Sequence, residues 1–161
     1  MLEIIILLAI VFAVRAWYQR TLVSGEAPDF DEITLQNEQI MLADYRGKPL
    51  MLHFWASWCA TCEFEQDSIS RIHADWPVVT VAFSSGETEE VSRYVERKGI
   101  GQWSTIVDSN GELTGQYGVM AVPTTFIIDG KGVIRFKEVG LTSGWGLRFR
   151  LWLTETFFKG V

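Results

Sequence analysis

Residues 50–62 read LMLHFWASWCATC, and this stretch decides the fold, because an apolar run leads directly into two cysteines three positions apart. The run Leu50–Trp55 predicts a buried β-strand, and a helix is expected to begin near Cys59. The sulfur of Cys59 then lies at the helix N-terminus, where free N–H groups and the helix dipole stabilise a thiolate. Cys62 lies one turn further along the same face, so it can release a partner bound to Cys59. We therefore predict that Cys59 attacks a disulfide and that Cys62 resolves the product.

Two other uses of the cysteine pair compete with this one, a structural disulfide and half of a zinc site. The chain contains no further cysteine, and a bridge that closes only two intervening residues removes little entropy from the unfolded chain. A tetrahedral zinc site needs two more ligands, and only His53 and His73 are available. One belongs to the predicted strand and the other lies well down the predicted helix. The spacing therefore favours a redox pair with no metal and no cofactor.

Composition indicates one globular domain with an additional N-terminal segment. The chain has 161 residues, of which 48% are apolar, enough for a substantial core. The net charge of −6 and the lack of a basic patch argue against nucleic acid or an anionic membrane surface as the main partner. Three segments are expected: a membrane anchor or signal anchor at 1–18, a linker at 19–27 and a folded domain at 28–161.

The expected anchor contains an uninterrupted apolar run, Ile4–Val14. This run is short for a membrane span, which needs about 20 residues, and by length it fits the core of a signal peptide. No Ala-x-Ala cleavage pattern follows, whereas Trp17 and Tyr18 suit a membrane interface. An uncleaved anchor is therefore favoured, and a buried core helix is a further alternative.

The charges around this run are unusual for an exported domain. Glu3 precedes the run, and Arg15 and Arg20 follow it. By the positive-inside rule, this order would keep the domain in the cytoplasm. A basic segment upstream of residue 1 would reverse the expectation.

Strand and helix patterns alternate after the linker, which predicts an α/β sheet with helices on both faces. In the C-terminal helix, Trp145, Phe149 and Trp152 are expected to pack into the core, and contact with a partner or membrane is the alternative. The predicted elements are a hairpin at 33–35 and 40–42, strand 50–55, helix 60–74, strand 78–83, a helix capped by Ser85 and ended by Gly99, strand 104–107, helix 113–117, a hairpin at 124–128 and 133–136, and helix 145–158.

Two motifs resemble those of the thioredoxin fold, over residues 28–158: Trp-Cys-x-x-Cys at 58–62 and Val122-Pro123-Thr124 before a later strand. The resemblance implies a central mixed sheet flanked by helices and a cis peptide bond between Val122 and Pro123. It also implies that this loop lies beside Cys59 and offers the Val122 backbone to a bound substrate strand. Without the resemblance, Pro123 is a proline at a strand start, where the trans form is commoner.

The entry Ala27-Pro28-Asp29-Phe30, the N-terminal apolar segment and the acidic residues after the cysteines resemble the TlpA-like thioredoxins of bacterial envelopes. That family includes thiol reductants of cytochrome c maturation. The resemblance implies a single-pass anchor in the bacterial inner membrane, with the domain in the periplasm. It also implies a functional Glu65, the alternative being a side chain that faces solvent. Residues 139–148 resemble, more loosely, the suppressor-of-copper-sensitivity D proteins, which would imply copper tolerance through thiol repair.

His53 departs from the pattern, since ordinary thioredoxins have a buried aspartate six residues before the first cysteine. A neutral His53 can accept the proton of Cys62 during resolution, and a cationic one would favour the thiolate. Burial would lower its pKa. The alternative is a core histidine that hydrogen-bonds to the backbone.

These observations predict a membrane-tethered envelope thiol-disulfide oxidoreductase that reduces disulfides or oxidised thiols of other proteins. A membrane electron carrier is the expected reductant. One alternative is a thiol reductant of cytochrome c maturation; another, of a different class, is a metallochaperone whose two thiolates hold Cu(I); a third is a peroxidase. The predicted catalytic residues are Cys59 and Cys62, and the predicted supporting or substrate-binding residues are Trp58, Val122, Pro123, His53 and Glu65.

Overall fold

The computed structural model of the protein describes residues 2–158, so residue 1 of the predicted anchor and residues 159–161 of the predicted domain lie outside it. A short 3-10 helix, Leu42–Tyr45, precedes the central strand. The helices and strands, in chain order, are α1 (Leu2–Thr21), β1 (Gly25–Glu26), β2 (Asp31–Ile33), β3 (Gln39–Met41), β4 (Leu50–Trp55), α2 (Ala60–His73), β5 (Val78–Phe83), α3 (Thr88–Lys98), β6 (Ser104–Asp108), α4 (Glu112–Gln116), β7 (Thr124–Ile128), β8 (Val133–Val139) and α5 (Gly144–Phe157).

A mixed six-stranded sheet in the order β1-β8-β7-β4-β5-β6 forms the centre of the fold. β4, β5 and β6 are parallel, whereas β7 is antiparallel to β4, β8 to β7 and β1 to β8. β2 and β3 form a separate hairpin, as predicted, and Thr34 after β2 bridges Ile106 of β6. The prediction of an α/β fold with a central mixed sheet is confirmed.

Side chains of β4 alternate between the two faces of the sheet, which separates two apolar cores. Leu50, Leu52 and Phe54 face a core that α4 and the N-terminal segment close. Met51 and Trp55 face a second core, closed by α2, α3 and α5, and both cysteines belong to this one. All six residues of β4 are buried because the strand lies in the middle of the sheet with both faces covered.

The segment predicted as a linker, 19–27, is built into the domain. α1 continues to Thr21, Leu22 is buried, and Gly25–Glu26 pairs with β8. No described residue of the stretch Glu3–Thr21 of α1 is fully buried, so this helix does not form part of the core in the described structure. Leu22 and Ala27 are buried in the core. They anchor this mostly polar segment at both ends, so that it packs along the edge of the sheet.

The start of α3 differs from the prediction and its end agrees with it. Glu87, rather than Ser85, is the N-cap residue, and the Glu90 carboxylate accepts the Glu87 backbone N–H at 2.9 Å. Gly99 ends the helix in the left-handed region, with φ 68°. Ser85 lies two residues too early to cap the helix, and its hydroxyl holds another loop, described below.

The aromatic side chains of α5 lie outside the core, contrary to the prediction. Trp145 is 85% exposed, and Phe149 and Trp152 are also exposed. Leu147 and Leu151 fill the buried side of the helix. Together with Thr154, the two leucines form the buried side with which α5 packs against the domain.

Trp55 and Trp103 provide a matched test of buried hydrogen bonding. Both are 1% exposed and their rings meet edge to face. The Trp103 indole donates to Ser70 Oγ at 3.1 Å, whereas the Trp55 indole N–H has no hydrogen-bond partner within the described residues. We expect Trp55→Phe to lower the free energy of unfolding by about 1 kcal/mol less than Trp103→Phe does, because only the latter breaks a hydrogen bond. Urea unfolding of both variants measures the difference, and equal losses would contradict the expectation.

Candidate active site

The two cysteines form a disulfide at the start of α2. Cys59 is the N-cap residue, and its sulfur accepts the backbone N–H of Cys62 at 3.1 Å. Cys59 is 9% exposed and Cys62 3% exposed, so the first cysteine is the more accessible residue. An N–H that points at this sulfur also stabilises negative charge on it when the disulfide is reduced. The structure therefore brings together the elements that the sequence predicted for an attacking Cys59.

A loop after β5 holds the residues that precede the disulfide, and the sequence did not identify this support. The Ser85 hydroxyl accepts the Ser57 backbone N–H at 2.9 Å. The Trp58 indole donates to the Ser84 carbonyl at 2.9 Å, while its ring stays 62% exposed. Ser84 has a positive φ of 44°, which is uncommon for a residue with a side chain. The indole N–H of Trp58 is thus held by the Ser84 carbonyl, and most of the side chain remains accessible to a partner.

The loop before β7 lies on the other side of the disulfide. The Val122–Pro123 peptide bond is cis, and the Val122 carbonyl oxygen is 3.7 Å from Cys59 Sγ. Gly140 donates its N–H to the Pro123 carbonyl at 2.8 Å. This contact ties the loop to the end of β8, so its backbone is held in place beside the Cys59 sulfur.

Glu65 is buried, at 2% exposure, and does not face solvent. Its Oε1 accepts the backbone N–H of Thr142 at 2.5 Å, in the loop between β8 and α5. Glu63, two residues earlier and thus on another face of α2, is exposed and pairs with Lys98. The Glu65 carboxylate therefore connects α2, which begins at the two cysteines, to the β8–α5 loop. The same loop is hydrogen-bonded to Pro123 through Gly140.

His53 lies in the core on the same face of the sheet as the cysteines, at 1% exposure. Its Nδ1 is 2.9 Å from Thr125 Oγ1, so its partner is a side-chain hydroxyl rather than the backbone. Thr80 and Thr105 continue the same row across β5 and β6 and hydrogen-bond to each other at 2.9 Å. Burial lowers the pKa of His53 from 6.5 to about 4, so the imidazole is neutral at pH 7.

The two sulfurs are the residues best suited to a soft metal ion, since thiolates bind Cu(I). Among residues 2–158, no group of three or more His, Cys, Asp or Glu side chains is placed to hold a metal ion. The site is thus defined by the cysteine pair and by the loops that surround it.

A cysteine pair at the start of a helix, on a mixed sheet and beside a proline loop that opens an antiparallel strand, defines a thioredoxin-like thiol-disulfide oxidoreductase. The predicted fold and enzyme class are therefore confirmed. The chain belongs to the AhpC/TSA family, whose model matches residues 23–137.

Named relatives agree with this class. Thioredoxin-like protein YneN of Bacillus subtilis (strain 168) is 36% identical over 121 residues, which cover 71% of this chain and 70% of that protein. Thiol:disulfide interchange protein DsbE of Xylella fastidiosa (strain 9a5c) is 30% identical over 125 residues, which cover 76% of this chain and 64% of that protein. Thiol-disulfide oxidoreductase ResA of Geobacillus thermodenitrificans (strain NG80-2) is 33% identical over 117 residues, which cover 70% of this chain and 67% of that protein. The chain thus spans 64–70% of the length of these proteins.

A solved structure shows the same architecture. The exposed lipoprotein thioredoxin Etrx1 of Streptococcus pneumoniae strain TIGR4 matches with a TM-score of 0.72 at 25% identity. The match covers 78% of this chain and 98% of that one. The likeness therefore extends over nearly the whole of that thioredoxin.

The contact between Glu65 and Thr142 yields a stability prediction. Glu65→Ala leaves the Thr142 N–H without its acceptor, so we expect it to lower the free energy of unfolding by about 1–3 kcal/mol. It should also speed amide hydrogen exchange at Thr142, and Glu65→Gln, which keeps an acceptor oxygen, should restore part of the protection. Glu63→Ala is the control, because its exposed ion pair is worth at most about 1 kcal/mol. Unchanged exchange at Thr142 in Glu65→Ala would contradict the expectation.

Proposed function

We propose that this protein reduces disulfides of other proteins in the bacterial envelope, with Cys59 as the attacking and Cys62 as the resolving cysteine. The observation that carries the proposal is the position of Cys59, the more exposed cysteine, whose sulfur contacts the Cys62 N–H and the Val122 carbonyl. Trp58 and the loop at Val122–Pro123 flank this sulfur and would contact a substrate strand.

The proposed cycle moves two electrons to the substrate. The Cys59 thiolate attacks one sulfur of a substrate disulfide, which forms a mixed disulfide and releases the first substrate thiolate. Cys62 then loses its proton and attacks Cys59 Sγ, which forms the Cys59–Cys62 disulfide and releases the second substrate thiolate. A membrane electron carrier with its own dithiol would return the pair to the reduced state.

His53 enters this proposal as a supporting residue and not as the final acceptor of the Cys62 proton. Burial places its pKa at about 4, whereas an ordinary thiol has a pKa of about 8.5. Net transfer of a proton from such a thiol to His53 would cost about 6 kcal/mol. The neutral ring, bonded to Thr125, instead fixes the polar row beneath α2.

The tether in this proposal is α1. The stretch Glu3–Thr21 has a mean hydropathy of 1.5 and is long enough to cross a membrane, a test that a signal sequence also passes. The exposed Trp17 near its end suits an interfacial position. The tether would place the domain on the periplasmic side of the inner membrane.

The substrate class is proposed from resemblance. The TlpA-like features favour cysteines that are reduced during cytochrome c maturation, and residues 139–148 favour cysteines repaired under copper stress. A Cu(I) metallochaperone is the candidate of a different class, and it would use the same two sulfurs.

The reduction potential of the Cys59–Cys62 pair tests the proposed direction. The protein is equilibrated with thiol buffers and followed through Trp58 fluorescence, with Trp58→Phe as the control that identifies the signal. We expect a value near that of thioredoxin, about −270 mV. A value near −120 mV, as for DsbA, would mean an oxidant. No reversible disulfide, together with tight Cu(I) binding that Cys59→Ser abolishes, would favour the metallochaperone.

A further inference from the structure

The C-terminal end of α1 is fixed to the domain by side-chain and backbone contacts. Lys137 of β8 donates through Nζ to the Leu22 carbonyl at 3.1 Å and to Ser24 Oγ at 2.6 Å. Gln19 of α1 donates to the Lys137 carbonyl at 3.3 Å. Tyr18 packs against the apolar core next to α4. The helix therefore enters the domain without a flexible stretch between them.

The same helix end touches the segment that leads to the active-site loop. Val23 donates its N–H to the Tyr117 carbonyl at 3.3 Å. Gly118 lies so close to the Thr21 carbonyl that a Cβ at this position would overlap it, and its φ of 68° also favours glycine. Four residues later, the Val122 carbonyl contacts Cys59 Sγ at 3.7 Å.

Chain geometry limits how far Cys59 lies from the end of α1. Four residues span at most about 14 Å, so Gly118, which touches Thr21, and Val122, which touches Cys59, cannot be further apart. With the contacts at both ends included, Cys59 Sγ is therefore within about 24 Å of the Thr21 carbonyl oxygen at the end of α1. The strand register agrees with this placement, because Lys137 lies opposite Phe126, only two residues from Thr124 at the active-site end of β7.

We propose that α1 is a rigid strut that holds the dithiol close to the membrane surface. The inference rests on the proposed tether and goes beyond it. Trp17 would lie at the interface, because Tyr18 and Gln19 already contact the domain. The end of α1 at Thr21 would then lie about 6 Å beyond Trp17, and Cys59 within about 30 Å of the interface, on a domain whose diameter is near 40 Å.

The test uses the full chain with Cys62→Ser, in phosphatidylcholine vesicles that carry a pyridyl disulfide on a short headgroup spacer. Attack by the Cys59 thiolate joins the protein to the lipid and releases thiopyridone, which is measured by absorbance. A second protein has a flexible Gly-Ser insertion of about 12 residues between Thr21 and Leu22, which would separate the domain from α1 by about 20 Å on average. A soluble pyridyl disulfide measures the intrinsic reactivity of both.

We expect the insertion to slow the reaction with the lipid probe by at least about threefold, because the sulfur then spends less time near the headgroups. Both proteins should react equally with the soluble probe. Lys137→Ala should slow the lipid reaction in the same direction, and Lys131→Ala, in the exposed β7–β8 turn, is its control. Equal rates with and without the insertion would overturn the rigid strut. Failure of the chain to bind vesicles would instead overturn the tether itself.

Discussion

Replacing Cys62 by Ser is expected to lower turnover by more than about 10³-fold, the order found when one member of a catalytic unit is removed. Cys59 should still attack a substrate disulfide, because it is the more exposed of the two cysteines and its sulfur keeps the N–H at the start of α2. Without Cys62 the mixed disulfide has no internal thiol to resolve it. The substrate should therefore stay attached to Cys59, as a band that shifts on a non-reducing gel and disappears with added thiol.

Cys59→Ser is the matched control for this experiment. It should lose turnover to the same extent but accumulate no adduct, because Cys62, at 3% exposure, is shielded from a protein substrate. Equal trapping by both variants would contradict the assignment of the two roles.

His53→Asn is expected to remove a pH-dependent change in the free energy of unfolding, which amounts to about 3 kcal/mol between pH 6.5 and pH 4. Burial lowers the pKa of His53 from 6.5 to about 4, and each pKa unit corresponds to about 1.4 kcal/mol. Between these pH values the unfolded chain binds a proton that the folded protein does not. The stabilising contribution is thus present above pH 6.5 and is lost as the pH falls to 4. Asn keeps a polar group that can bond to Thr125 but does not titrate.

Urea unfolding of both proteins over this pH range gives the comparison. The stability of His53→Asn relative to the wild type should rise by about 3 kcal/mol from pH 7.5 to pH 4, since all other titrations are common to both. His73→Gln is the control: burial also lowers the pKa of His73, but this side chain is only partly buried, so its effect should be smaller. Parallel curves for wild type and His53→Asn would contradict the expectation.

Elements with a strong local pattern could be predicted from the sequence. β5 occupies Val78–Phe83, as predicted. A strand that is buried on both faces is a continuous apolar run in the sequence, so its bounds are visible there. α2 begins at Ala60, directly after Cys59. β1 could not be predicted, since its two residues pair with β8 through their backbone and carry no side-chain pattern.

Contacts across long sequence separations account for most of what the sequence did not show at the site. Glu65 is buried because the loop at Thr142, 77 residues later, lies over it. His53 meets Thr125 through the β4–β7 register, across 72 positions. Nothing in the local pattern of residues 60–65 distinguishes the buried carboxylate from the exposed one at Glu63.

The chain that precedes β4 pairs with part of the edge on each side of the central sheet. Gly25–Glu26 lies along β8 on one side; on the other, Thr34 bridges Ile106 and Leu35 donates its N–H to the Thr105 carbonyl of β6. Uncovered strands are templates on which neighbouring molecules add strands of their own. Residues 25–35 thus occupy backbone groups at both edges of the sheet, and we expect their removal to leave these groups open to pairing with neighbouring molecules.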